Sequence, residues 1–151
     1  MPNPHPPHNT DYRAYTSKPN HQRMAVEAWN RLSHKRKREG KNLNRGEMRL
    51  RDALQRTGLK VIEFEHEVPT DPPAWIDALV EEKGRPWYID CDPYFQPRSL
   101  EERKQRILER KQTWAKEHGI TLTLVRGTAI EMQAILELER LRQRGRRNNG
   151  T

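Results

Sequence analysis

Apolar positions recur along this chain with two periods, and the switches between them mark out its elements. Val26, Trp29 and Leu32 repeat at helical spacing, which predicts a first helix from about Gln22 to Arg38. Gly40 and Asn42 stop it. Asn44 is placed to cap a second helix, with Glu47 three residues on in capping-box position. Leu50 and Leu54 carry that helix's apolar stripe and Gly58 ends it. The period then changes to two. Ile62, Phe64 and Val68 share one strand face with His66, while Glu63, Glu65 and Glu67 share the other. The PTDPPA segment breaks this strand. Trp75–Val80 and Trp87–Cys91 read as two more strands, joined by the turn-rich EEKGRP. A long helix is expected from about Ser99 to His118, with Gly119 as its C-terminal signal. A strand with Leu122 and Leu124 inward follows over Ile120–Val125. A last helix begins near Thr128, and Ile130, Ala134, Leu138 and Leu141 are its expected buried stripe. The order α-α-β-β-β-α-β-α predicts an α/β (α+β) fold, a small mixed sheet of about four strands with helices packed on it.

Composition sharpens the boundaries. Residues 1–22 hold five of the eleven prolines and four apolar residues, and residues 142–151 hold no apolar residue. Both segments therefore read as disordered ends, a Pro/His/Asn-rich arm and a basic tail, around one domain at 23–141. A single cysteine excludes a disulfide scaffold and a multi-thiolate zinc site. No apolar run approaches the ~20 residues of a membrane helix, and MPNPHPPHNT lacks the apolar centre of a secretory signal. The expectation is a cytoplasmic protein with no membrane contact.

Charge adds a functional clue. The net charge of +8 is concentrated: Lys35 to Arg45 carries +5 and Leu138 to Thr151 carries +4, while Gly46 to Glu137 is net −3. Basic flanks around an acidic centre suit a protein that grips phosphates while its carboxylates hold a cation. Lys35, Arg36, Lys37, Arg38, Lys41 and Arg45 are the first set of candidate nucleic-acid contacts. Arg142, Arg144, Arg146 and Arg147 are the second.

The candidate chemistry lies in the acidic centre. Asp77 and Asp90 interrupt otherwise apolar strands, where an unpaired carboxylate is costly to bury. If those strands pair across EEKGRP, the two acids approach one another. Asp92 shares the Asp90 face because strand side chains alternate. Such carboxylates make a hard, oxygen-only site suited to Mg²⁺ or Mn²⁺. Glu47 lies on the Leu50/Leu54 stripe, where it either caps its helix or faces the site. Lys111 falls on the inner stripe of the long helix with Ile107, Leu108, Trp114 and Ala115; it either snorkels outward or steadies charge on a phosphate. Lys104 and Arg110 are alternatives for that role. Cys91 faces away from Asp90 and Asp92, and His66 reads as a core residue. No Walker, GxGxxG, HExxH or GxSxG motif is present.

The stretches NRGEMRLRDALQRTGLKVIEFEHEV, WIDALVEEKGRPWYIDCDPYF and ERKQTWAKEHGITLTLVRGTAIE, spanning residues 44–131, together resemble the PD-(D/E)XK nuclease core, nearest to its very-short-patch-repair endonuclease branch. The resemblance implies a restriction-endonuclease-like core, with Glu47, Asp77 and Asp90 at the acidic motif positions. It departs from the motif in two places: Ile76 replaces the proline before the first Asp, and Asp92 stands where a lysine is usual. Related branches recruit a cation from the following helix, which is the place of Lys111. What this implies is a Mg²⁺-dependent endonuclease in which Asp77, Asp90 and Asp92 bind metal and Glu47 and Lys111 assist, acting on DNA before RNA. A homodimer and a place in a larger nucleoprotein complex are both left open. Two alternatives stand beside it: a non-catalytic nucleic-acid-binding subunit on a decayed nuclease fold, and a basic structural or assembly protein.

Overall fold

A computed structural model describes residues 19–92 and 98–149. The 1–18 part of the N-terminal arm lies outside the described residues. The chain divides into two compact units, Met1–Lys41 and Asn42–Thr151. The first contains helix α1 (Pro19–Arg38), which ends in four consecutive basic residues, Lys35 to Arg38. This division falls inside the segment that the sequence reads as one domain.

The second unit is an α+β fold: helix α2 (Arg45–Thr57), strands β1 (Lys60–Val68), β2 (Ala74–Glu82) and β3 (Arg85–Cys91), helix α3 (Arg98–Glu117), strand β4 (Thr121–Val125) and helix α4 (Ala129–Asn149). The sheet order is β1-β2-β3-β4. The first three strands are antiparallel neighbours, and β4 lies parallel to β3. A parallel neighbour needs a crossover, and α3 supplies it. The β2–β3 hairpin closes on Lys83 and Gly84, both at positive φ, as a two-residue turn requires. Gly58 ends α2 in the left-handed region, its N–H donating back to the Gln55 carbonyl.

Two apolar clusters sandwich the sheet. Leu50, Ala53 and Leu54 of α2 and Met132 and Leu136 of α4 pack with Ala78, Val80, Trp87, Ile89 and Val125. On the other face Ala115 of α3 joins Val68, Ala74, Ile76 and Tyr88. Two indole N–H groups are tied down, Trp87 to Thr123 Oγ1 at 2.8 Å and Trp114 to the Tyr88 hydroxyl at 3.3 Å.

Three sequence expectations change here. Ile62 is 52% exposed, because the β1 register slips between Val61 and Glu63 and leaves it as an extra residue in the ladder. Residues 142–149 are helical rather than a disordered tail; Arg144 reaches back to Glu82, which anchors the segment. The stripe of α4 that faces the sheet is Met132–Leu136, so Ile130, Ala134, Leu138 and Leu141 are exposed. Among the described residues, no helix is long and apolar enough to cross a membrane.

Candidate functional site

Strand alternation fails at one place, and the acidic residues collect there. Ala78 and Val80 pack on the α2/α4 side, whereas Ala74 and Ile76 pack on the α3 side. Residues an even number apart should share a face, so β2 changes parity at Asp77. On β1 the ladder places Glu65 between the Phe64–Ala78 and His66–Ile76 pairs, opposite Asp77, and Glu65 has φ 50°. Such a backbone is uncommon for a residue with a side chain. Its effect is to bury the Glu65 side chain to 2% exposure.

Beyond the Ala78–Ile89 pair, side chains replace the regular β2–β3 rungs. The Asp77 N–H donates to Asp90 Oδ1 at 3.0 Å, and the Cys91 N–H donates to Asp77 Oδ2 at 2.7 Å. Lys111 Nζ, from α3, donates to Asp90 Oδ2 at 2.7 Å. Both ends of that ion pair are buried, with side chains 13% and 7% exposed. Asp90 thus has both oxygens committed within the protein. Glu47 enters from the first turn of α2. Its Oε1 accepts the Asn44 N–H at 3.0 Å while Asn44 Oδ1 accepts the Glu47 N–H at 2.8 Å, completing the capping box. Glu47 is also buried, and its carboxylate approaches those of Glu65 and Asp77, with one oxygen from each of the three lying within 4.8 Å of the others. The cap and the site position are therefore both realised.

Arg51, one turn after Glu47, lines the same site with Leu50, Phe64, Glu65 and Asp77. Its guanidinium lies 4.0 Å from the centre of the Phe64 ring. Burial lowers its pKa against the pull of Glu65, Glu47 and Asp77, yet a guanidinium stays charged at any working pH. Burial, then the Asp90 charge and a carboxyl–carboxyl hydrogen bond with Asp90, push the Asp77 carboxyl well above the usual range; the Cys91 N–H and Lys111 pull the other way and lose. For Lys111, burial works to lower the pKa, but Asp90 foremost, then Asp77 and Glu65, outweigh it and hold the ammonium charged. Burial, then Asp77, Asp90 and Glu47, push the Cys91 thiol up, which disfavours the thiolate.

No family model, curated protein or solved structure matches this chain. The site is therefore judged on its own chemistry.

Of the sequence-predicted residues, Glu47, Asp77, Asp90 and Lys111 come together. Asp92 does not join the three-carboxylate group. Its N–H donates to the Val125 carbonyl at 2.8 Å, and its 40%-exposed side chain faces Arg126 at 4.0 Å. The metal set expected from sequence is Asp77, Asp90 and Asp92; among the described residues, the carboxylates that converge are those of Glu47, Glu65 and Asp77. Asp90 acts as the link to Lys111. Arg45 opens α2 and is exposed; Lys35, Arg36 and Lys41 are exposed in the other unit. Arg144 is bound to buried Glu82, and Arg142 and Arg146 reach Glu139 at 3.8 and 3.3 Å. Arg147 lies on α4.

Sequence reasoning missed Glu65 and Arg51. Nothing distinguishes Glu65 from Glu63 and Glu67 until its positive φ and the face change opposite Asp77 are known. Arg51 carried a signal, its place four residues after Glu47 on the same helix face.

The donor set fits a divalent cation. It offers carboxylate oxygens only, as Mg²⁺ and Mn²⁺ prefer. Four acids, Glu47, Glu65, Asp77 and Asp90, face two resident cations, Arg51 and Lys111.

Proposed function

We propose that the chain is a metal-dependent nuclease that hydrolyses phosphodiester bonds, in DNA before RNA. The observation that carries this reading is the convergence of Glu47, Glu65 and Asp77 from three elements, beside the buried Asp90–Lys111 pair. Glu47, Glu65 and Asp77 would hold Mg²⁺ or Mn²⁺. When bound, such an ion polarises a phosphoryl oxygen and acidifies water. Asp90 fixes the β2 backbone at Asp77 and holds the Lys111 ammonium charged. Lys111 supplies a fixed positive charge against negative charge developing on the phosphate. The basic residues at the end of α1 and Arg45 supply backbone contacts without sequence information.

One observation favours a second reading. Arg51 already lines the acidic cleft, and with Lys111 it offsets half of the acidic charge, as in a non-catalytic nucleic-acid-binding subunit. Incubating duplex, branched and single-stranded DNA and RNA with Mg²⁺, Mn²⁺ or EDTA separates the two. The nuclease reading expects cleavage that EDTA stops and that Glu65→Gln lowers by ~10² or more, the scale of losing one electrostatic stabiliser. Binding without cleavage of any substrate, in either metal, establishes the subunit reading instead.

A further inference from the structure

The exposed stripe of α4 is a complete helix face. Ile130 is 66% exposed, Leu138 51% and Leu141 63%, and Ala134 lies exposed between them. They recur at i, i+4, i+8 and i+11, along about 16 Å of helix at ~1.5 Å per residue. The opposite stripe, Met132 and Leu136, already satisfies the core. A continuous apolar stripe of this kind marks an interaction surface.

Charge along α4 says what fits it. From Thr128 to Glu139 the helix carries Glu131, Glu137 and Glu139 and no basic residue; from Arg140 to Asn149 it carries five arginines and no acid. A parallel copy would set like charge on like. An antiparallel copy crossing near position 136 instead sets Glu131, in the first turn of each helix, against the Leu141–Arg142 end of the other. We propose that this face binds a second copy of the chain, with the two α4 helices antiparallel about a two-fold axis near position 136. That axis places Ile130 against Leu141 and the small Ala134 against the larger Leu138 of the opposing helix, a pairing that favours close packing. Glu131 and Arg142 are eleven residues apart, about three turns, so they lie on the same flank of the stripe. The two-fold brings Glu131 of one helix beside Arg142 of the other. Arg142 is available for this, 62% exposed and 3.8 Å from Glu139 in its own helix. The isologous geometry closes on itself, which yields a dimer and no larger array.

Sedimentation equilibrium on the full chain tests this. Wild type is expected to dimerise reversibly. Leu138→Glu should weaken the dimer at least ~10-fold, about 1.4 kcal/mol, with the melting curve extrapolated to the monomer unchanged. Arg142→Glu should weaken it as well, and Glu131→Arg with Arg142→Glu should restore it, which a merely apolar contact would not do. A chain that stays monomeric up to ~1 mM, beyond which Kd has no cellular meaning, overturns the proposal. So does a dimer indifferent to Leu138→Glu, which would use another face. A monomer whose melting temperature falls on Leu138→Glu would show the stripe covered from within the same chain, and this also overturns it.

Discussion

Burial and the adjacent Asp90 carboxylate hold the Asp77 carboxyl protonated above the range where a free aspartate ionises. The sign of the consequence follows from linkage. A group whose folded pKa is raised contributes stability in full below its unfolded value, ~3.9, and loses that contribution as pH climbs through the folded value. Metal-free protein should therefore melt at progressively lower temperature across that window. Asp77→Asn keeps a carbonyl oxygen for the Cys91 N–H but cannot ionise. Its melting temperature should lack this fall and exceed that of wild type above the window. Mg²⁺ favours the carboxylate form, so it should raise the wild-type value there and leave the variant unmoved. Differential scanning calorimetry of both proteins from pH 4 upward, with and without Mg²⁺, provides the check. Parallel pH profiles would show that Asp77 is not the group holding the proton.

At the scale of elements, the far end of the β2–β3 hairpin is fixed by a second buried acid. Glu82 accepts Arg140 Nε at 2.6 Å and Arg144 Nη2 at 3.1 Å, while Arg140 Nη1 reaches the Thr57 carbonyl at 3.2 Å. One carboxylate thus ties β2, the end of α2 and α4 together. Burial alone would raise the Glu82 pKa; the two guanidiniums outweigh it and lower it. This contribution to stability is present above the unfolded value, ~4.3, and is lost as pH falls through the lowered one. Arg140→Met removes the shorter of the two guanidinium contacts to Glu82 and should cost about 1–3 kcal/mol in urea unfolding at neutral pH. Adding Glu82→Leu should recover part of that loss, because no unpaired charge then remains buried. If Arg140→Met is neutral, the clamp contributes nothing. This clamp also shows where sequence reading stops. The periods of the pattern locate all four strands and the helices to within a few residues, except the C-terminal end of α4, because each period reflects a local backbone geometry. Which of two apolar stripes on α4 meets the sheet is a tertiary matter, and periodicity alone points to the wrong one, Ile130–Leu141. The same holds for Glu65: its alternation with Phe64 and His66 is regular in sequence, and only the parity change opposite Asp77 turns it inward. Asp77 and Asp90 are legible because apolar strands make a carboxylate conspicuous. Arg144 reads as part of a tail because its partner, Glu82, is 62 residues away.

For the whole molecule, the two sets of basic residues picked out by charge alone have different surroundings, which lets the proposed nucleic-acid binding be tested set by set. Arg144 holds Glu82, and Arg142 and Arg146 face Glu139, so much of the C-terminal charge has partners within α4 and the hairpin. Lys35 to Arg38 close helix α1 of the other compact unit. Replacing all four by Gln tests their part in binding, with the urea-unfolding midpoint measured on the same protein as a control. Every lysine or arginine so withdrawn from a phosphate should flatten the slope of log K against log salt by about 0.9 for duplex DNA. A fluorescence-anisotropy titration at several salt concentrations measures it, and the weakening should be similar for unrelated sequences, as backbone contacts carry no base information. Arg144→Gln is the informative opposite, expected to lower stability while flattening the salt slope by less than one phosphate partner would. An unchanged slope in the fourfold α1 variant would remove that helix end from the nucleic-acid interface. Phosphate binding would then have to come from Arg45 and the cations around the acidic cleft.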